Sequence, residues 1–362
     1  MRKLILWSII FSIITGISVA QEGEVEKKEP TPLPGLRKVV KALPDISIIG
    51  DVRGIYSDDK TLTDRNKIVL KEVELALQGY LYPDIRADVF IGVHRHNSHY
   101  HTHVCEGYIS FLKTPIKDLI VLAGKKFLPL GKINVVHSHH RNFVDPPEVN
   151  RLFFNDSGHG VAGQGINFSY LLPLPFFSQL DLGIWYVDSE HTHGETLGLA
   201  EETYTLRSWN SFSLGTSQEL EIGLNALKSY GTHFSHHKDK VKLLGVDLTY
   251  RNFLESYKKV LFQNEFFWLE REVPEGDLDR FGFYSFLNYR WSKYWDIGIR
   301  YDFAETPFPD KEEIFFVSAI LTRNLTETTK LRLQYKYDIE EENHTLYLQC
   351  IFGIGPHAHP LE

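Results

Sequence analysis

From about Ile46 to Phe352 the chain repeats one unit: roughly ten residues of alternating apolar and polar side chains, then turn residues, then another such run. Successive side chains of a strand point to opposite faces, so each run carries one apolar and one polar face. About sixteen runs can be counted, an even number within the range of closed outer-membrane barrels, and the connectors alternate between short and long. The pattern predicts an all-β fold: a transmembrane antiparallel β-barrel of about sixteen strands with long external loops.

Particular runs assign the faces. Between Lys330 and Asp338, Leu331, Leu333, Tyr335 and Tyr337 oppose Lys330, Arg332, Gln334, Lys336 and Asp338. Between Tyr294 and Ala304, Trp295, Ile297, Ile299, Tyr301 and Phe303 read as outward, and Asp296, Arg300 and Asp302 as inward. From Ile85 to His96 the apolar set Ile85, Ala87, Val89, Ile91 and Val93 opposes Arg86, Asp88, Phe90, His94 and His96. The runs from Leu261 to Glu270 and from Glu313 to Leu321 are apolar on both faces, which leaves their register open.

Export is the next expectation. Arg2 and Lys3 precede an apolar stretch from Leu4 to about Ile17, and Ser18-Val19-Ala20 supplies small residues for cleavage, so residues 1–20 read as a signal peptide. Residues 21–44 read as a periplasmic leader, 45–353 as the barrel and 354–362 as a periplasmic tail. The formal net charge of −8 argues against nucleic acid as a partner. Aromatic residues make up 13% of the chain, a content that suits girdles at two membrane interfaces. Cys105 and Cys350 fall in the fourth and last strands, too far apart around the wall to be expected to pair. Neither a Gly-x-Ser-x-Gly elbow nor a His-Glu-x-x-His helix is present, so no enzyme activity is expected.

With a periplasmic N-terminus, most of the 17 histidines fall at the external side. His94, His96, His99, His101 and His103 surround one predicted loop, and His137, His139 and His140 lie in another. His191 and His193 fall in a third, and His233, His236 and His237 in a fourth. Imidazole suits zinc, copper and nickel, and His-x-His on an extended segment can offer two ligands to one ion. All thirteen are therefore candidate metal ligands; the competing readings are incidental enrichment and a structural metal site. No resident cofactor is required, and zinc enters as a weakly bound ligand.

The predicted third external loop, Pro129 to Ser157, is too long for a plain hairpin connection, and loops of that length are usually functional or disordered. Its Phe143, Val149, Leu152, Phe153 and Phe154 call for a packing partner. If the loop folds into the barrel, Arg141, Asp145 and Glu148 join its histidines as candidates for the constriction, where charged or ligating side chains set selectivity. The alternative is a lid over the mouth.

Around this loop the segment Gly124-Lys125-Lys126-Phe127-Leu128-Pro129-Leu130-Gly131-Lys132-Ile133-Asn134, followed by His137-Ser138-His139 and Phe143-Val144-Asp145-Pro146-Pro147, resembles zinc-regulated outer-membrane porin-like proteins. These are often labelled TonB-dependent receptor-like and are related to the phosphate-selective porin O/P group. Leu130 stands where their pattern has Phe, and the chain has no room for a 22-stranded barrel with a plug. The resemblance implies a porin-like channel in the outer membrane of a Gram-negative-type bacterium, assisting uptake of zinc or another divalent metal. Its expected partners are outer-membrane lipid, small hydrophilic solutes or divalent metal ions and, by fold analogy, two further copies in a homotrimer. The alternative is an exported non-channel surface β-protein that binds metal or another surface.

Overall fold

Each alternating run becomes a strand in the computed structural model, which describes residues 44–96, 98–154, 160–188, 196–232, 238–274 and 276–356. The signal peptide, most of the leader and the end of the tail lie outside the described residues. The strands are β1 (Asp45–Ser57), β2 (Lys67–Tyr82), β3 (Ile85–His96), β4 (His99–Phe111), β5 (Leu119–Phe127), β6 (Ala162–Leu171), β7 (Phe177–Val187) and β8 (Gly198–Ser213). They continue as β9 (Gln218–Thr232), β10 (Lys238–Phe253), β11 (Lys259–Val273), β12 (Gly276–Ser292), β13 (Trp295–Glu305), β14 (Glu313–Asn324), β15 (Lys330–Asp338) and β16 (His344–Ile354). Each pairs antiparallel with its sequence neighbours, and β16 closes on β1, so the sheet is a closed barrel of sixteen strands.

Alternation sets which side chain meets lipid. On β13, Ile299 is 53% exposed on the outer surface while its neighbour Arg300 is 0% exposed inside. At the end with short turns, Tyr80, Tyr82, Tyr257, Tyr289, Trp291 and Tyr294 are exposed in an outer ring. Toward the other end Trp268, Phe281, Phe303 and Phe315 pack side by side, with ring centroids 6.5, 5.1 and 4.9 Å apart along the row. Two such bands bracket the apolar belt of a membrane barrel.

The three longest connections, 58–66, 128–161 and 188–197, all lie at one end. The loop expected from Asn97 to His103 shrinks to the connection 97–98, because β3 and β4 keep pairing to the tip: His94 lies opposite His101 and His96 opposite His99. Backbone groups at the rim are satisfied by the ladder, which no loop of that length could do as fully.

The two cysteines are free. Cys105 is buried inside the barrel, whereas Cys350 alternates with the inward Gln349 and Ile351 and so faces lipid.

Candidate functional site

The connection 128–161, here called L3, turns into the lumen. Asn134 ties its two ends together: its Nδ2 donates to the carbonyls of Leu128 (2.8 Å) and Val161 (3.1 Å), and its Oδ1 accepts from the Val161 N–H at 2.7 Å. Gly131 sits at φ +60°, and a Cβ there would come within 2.6 Å of Glu265 Oε1 and 2.9 Å of the Phe267 ring. Only glycine accepts both that backbone and that proximity. Glu265 on β11 accepts the backbone N–H groups of Lys132 and, at 2.9 Å, of Ile133, while Asn225 on β9 accepts that of Gly131 at 2.9 Å. The Pro-x-Gly-x-x-Asn stretch is thus the turn that sends the loop inward.

A short helix, α1 (Glu148–Phe154), follows Pro146-Pro147 within L3. Val149, Leu152, Phe153 and Phe154 are each 0% exposed and belong to one apolar cluster with Trp185, Leu227, Leu243, Phe267, Leu269 and Phe286 on the inner wall. Phe154 meets Phe267 edge-to-face at 5.0 Å, and Phe143 meets Phe286 at 5.5 Å. One side of the lumen is therefore packed like a soluble core.

Charge anchors the same loop. Asp145 accepts from Arg300 Nη2 (3.1 Å) on β13 and from Lys336 Nζ (2.9 Å) on β15, and Glu148 accepts from Lys336 Nζ (2.7 Å) and Arg151 Nε (2.6 Å). Burial would raise the pKa of both acids, but these cations outweigh it: Glu148 is held down at about 2 and Asp145 well below the usual carboxylate range. Arg141, the third expected constriction residue, is buried, and its carbonyl accepts from Arg332 Nη2 at 2.8 Å.

Across the lumen L3 meets acids on β2 and β4. His137 Nδ1 lies 2.7 Å from Glu74 and Nε2 2.9 Å from Glu106; Ser138 donates to Glu72; and His139 Nε2 lies 3.9 Å from Glu74. Burial would lower the His137 pKa, yet the Glu74 charge and the hydrogen bonds to Glu106 and Glu74 carry it to about 10. Each ring nitrogen of His137 thus faces one carboxylate, and the ring bridges L3 to β2 and β4. His139 remains a candidate, because donor atoms of Glu72, Glu74 and His139 all lie within 4.8 Å of one another. His140 lines a small cavity with His139, Ser47, Ile49, Thr328 and Lys330, toward the short-turn end.

The β3–β4 rim gathers the remaining described candidates. His94 and His103 stack at 4.5 Å, whereas His96, His99 and His101 stand exposed nearer the tip. His191, His193, His233, His236 and His237 lie outside the described residues. Sequence reasoning did not bring Glu106 and Cys105 into the site. A signal was available: His99, His101 and His103 occupy odd positions, while Glu106, Tyr108 and Ser110 occupy even ones, and a change of parity within one strand requires an extra residue. The register shifts there, between Phe90 and Ile91 on β3, and Cys105 is the unpaired residue of the bulge.

A closed sixteen-strand antiparallel barrel with the connection between its fifth and sixth strands folded inward is a porin-like outer-membrane fold, consistent with residence in a bacterial outer membrane. It is similar to Salmonella typhi OmpF in complex with daunomycin, with TM-score 0.58 and 8% identity over 86% of this chain and 97% of that one. It is likewise similar to an anion-selective porin from Comamonas acidovorans, with TM-score 0.57 and 10% identity over 85% and 98% of the two chains. Vibrio cholerae OmpT in its trimer form gives TM-score 0.56 at 9% identity over 86% and 98%. An uncharacterized protein of Aquifex aeolicus (strain VF5) is 26% identical over 287 residues, 66% of this chain; the match spans 60% of that relative's length. No protein-family model matches the chain.

Proposed function

We propose that the protein is an outer-membrane channel for small hydrophilic solutes, constricted by L3, with divalent metal ions, zinc among them, as favoured permeants. The observation that carries this reading is the convergence of Glu72, Glu74, Glu106 and His139 on one side of the lumen, where L3 narrows it. Carboxylate and imidazole together suit divalent ions, and rings of such groups at a narrowing select cations. Porin-like architecture supports a homotrimer as the working assembly.

Single-channel recording in planar bilayers tests the reading. Conductance should respond to micromolar zinc, and Glu74→Gln with Glu72→Gln should shift the reversal potential away from cation selectivity while the strands remain folded. Unchanged selectivity in the double variant would overturn it. The apolar packing of L3 against β7 to β12 favours one second reading, a barrel that binds metal at its mouth without conducting. Absence of any unitary current would select that reading.

A further inference from the structure

We propose that His94, His103 and Cys105 form a binding site for one thiophilic metal ion just inside the external mouth. Three observations converge. The Cys105 Sγ lies 3.3 Å from His94 Nε2 and 3.7 Å from His103 Nε2, and the three donor atoms all fall within 4.8 Å of one another. With metal–sulfur bonds of about 2.3 Å and metal–nitrogen bonds of about 2.0–2.1 Å, adjacent ligands of a tetrahedral ion stand about 3.6 Å apart, so the two measured edges fit one ion.

The second observation is the space. Gly92 lies opposite His103, and a Cβ on it would sit 1.9 Å from His94 Nε2 and 2.6 Å from Cys105 Sγ. Any larger residue would occupy the place where the donors meet. The third is the bulge, which lets the neighbours Cys105 and Glu106 both lie buried inside the barrel. Cys105 is 4% exposed and His94 is 4% exposed, and His94 Nδ1 faces Glu72 Oε1 at 3.8 Å. At that distance the carboxylate is a nearby negative charge on the side of the second nitrogen, and not a hydrogen-bond acceptor for it.

Thiolate with two imidazoles selects borderline or soft ions such as zinc, cadmium and copper over magnesium or calcium. Binding is written as Cys–SH + M²⁺ → Cys–S⁻–M²⁺ + H⁺, with the proton released to solvent and no change of oxidation state. Three protein ligands leave a fourth position open, which suits an ion that must also leave. The site does not depend on conduction and stands apart from the channel reading.

Cobalt(II) added alone to the detergent-folded full barrel tests the proposal. A near-ultraviolet sulfur-to-cobalt charge-transfer band should appear and be displaced by zinc. Cys105→Ser should abolish the band and weaken zinc binding at least about tenfold to a hundredfold, Gly92→Ala should weaken it with every donor retained, and Cys350→Ser should change neither. Should Cys105→Ser fail to fold, the unaltered protein still decides: zinc should slow maleimide alkylation of Cys105 and leave that of Cys350 unaffected. Cobalt binding with no charge-transfer band, or alkylation of Cys105 indifferent to zinc, overturns the site; a zinc-sensitive conductance in that same protein would leave the channel reading standing.

Discussion

Replacing Phe154 with alanine isolates what holds L3 in the lumen. Phe154 is 0% exposed and stands edge-to-face on Phe267 at 5.0 Å, yet it belongs to α1 and takes no part in strand pairing. Removing a buried phenylalanine costs about 3–5 kcal/mol, which includes the cavity left behind. Because the ladder is untouched, that cost falls on the equilibrium between docked and displaced loop. At about 1.4 kcal/mol per tenfold, the displaced population rises by two to nearly four orders of magnitude. Planar-bilayer recording should then show larger unitary conductance or new flicker between two levels, while circular dichroism retains the strand signal of the parent. A folded variant whose conductance and current noise match the parent would refute the claim that packing of α1 closes the lumen.

Two further outcomes follow from the charged anchor. Lys336→Met leaves Asp145 and Glu148 without the cation they share, though Arg300 and Arg151 still face them, and should destabilise L3 docking by about 1–3 kcal/mol; limited proteolysis within L3 should accelerate, and an unchanged cleavage rate would contradict the role given to that lysine. For pH the sign is set by depressed carboxylates: Glu148 titrates at about 2 against an ordinary 4.5, and Asp145 is also lowered. Their contribution to docking is therefore complete above the ordinary carboxylate value and is lost as pH falls through the depressed one. Resistance of L3 to proteolysis should hold steady from neutral pH down to that ordinary value and fall only in stronger acid; a loss of resistance near neutral pH would show that other groups hold the loop.

How far the molecule could be read from sequence depends on which forces act between neighbours along the chain. Outward and inward faces of β3, β13 and β15 follow directly from period two, because the outward sets are apolar and the inward ones mostly polar or charged, even where L3 meets them. Leu261 to Glu270 and Glu313 to Leu321 resisted the same reading for a physical reason now visible. Leu261, Phe267, Leu269 and Ile320 face inward and are buried in the same apolar cluster as L3, so the inner face there is apolar too. Ambiguous alternation in a barrel strand thus marks where a loop returns to cover it.

The pairing of particular partners was less legible. His137 belongs with Glu74 and Glu106, and Asp145 with Arg300 and Lys336, across sequence separations that no spacing rule spans. The long loop's aromatic residues announced a packing partner, and its Pro-x-Gly-x-x-Asn stretch carried the turn, but neither specified which wall it reached. Parity is the exception to this limit. A strand whose histidines are odd and whose acids are even must contain an extra residue, and here that residue is Cys105, placed by the bulge between two imidazoles. The same break in alternation that disturbs the ladder therefore supplies the one sulfur ligand on the inner wall among the described residues, which makes a local irregularity, rather than the number of histidines, the feature that defines the rim chemistry.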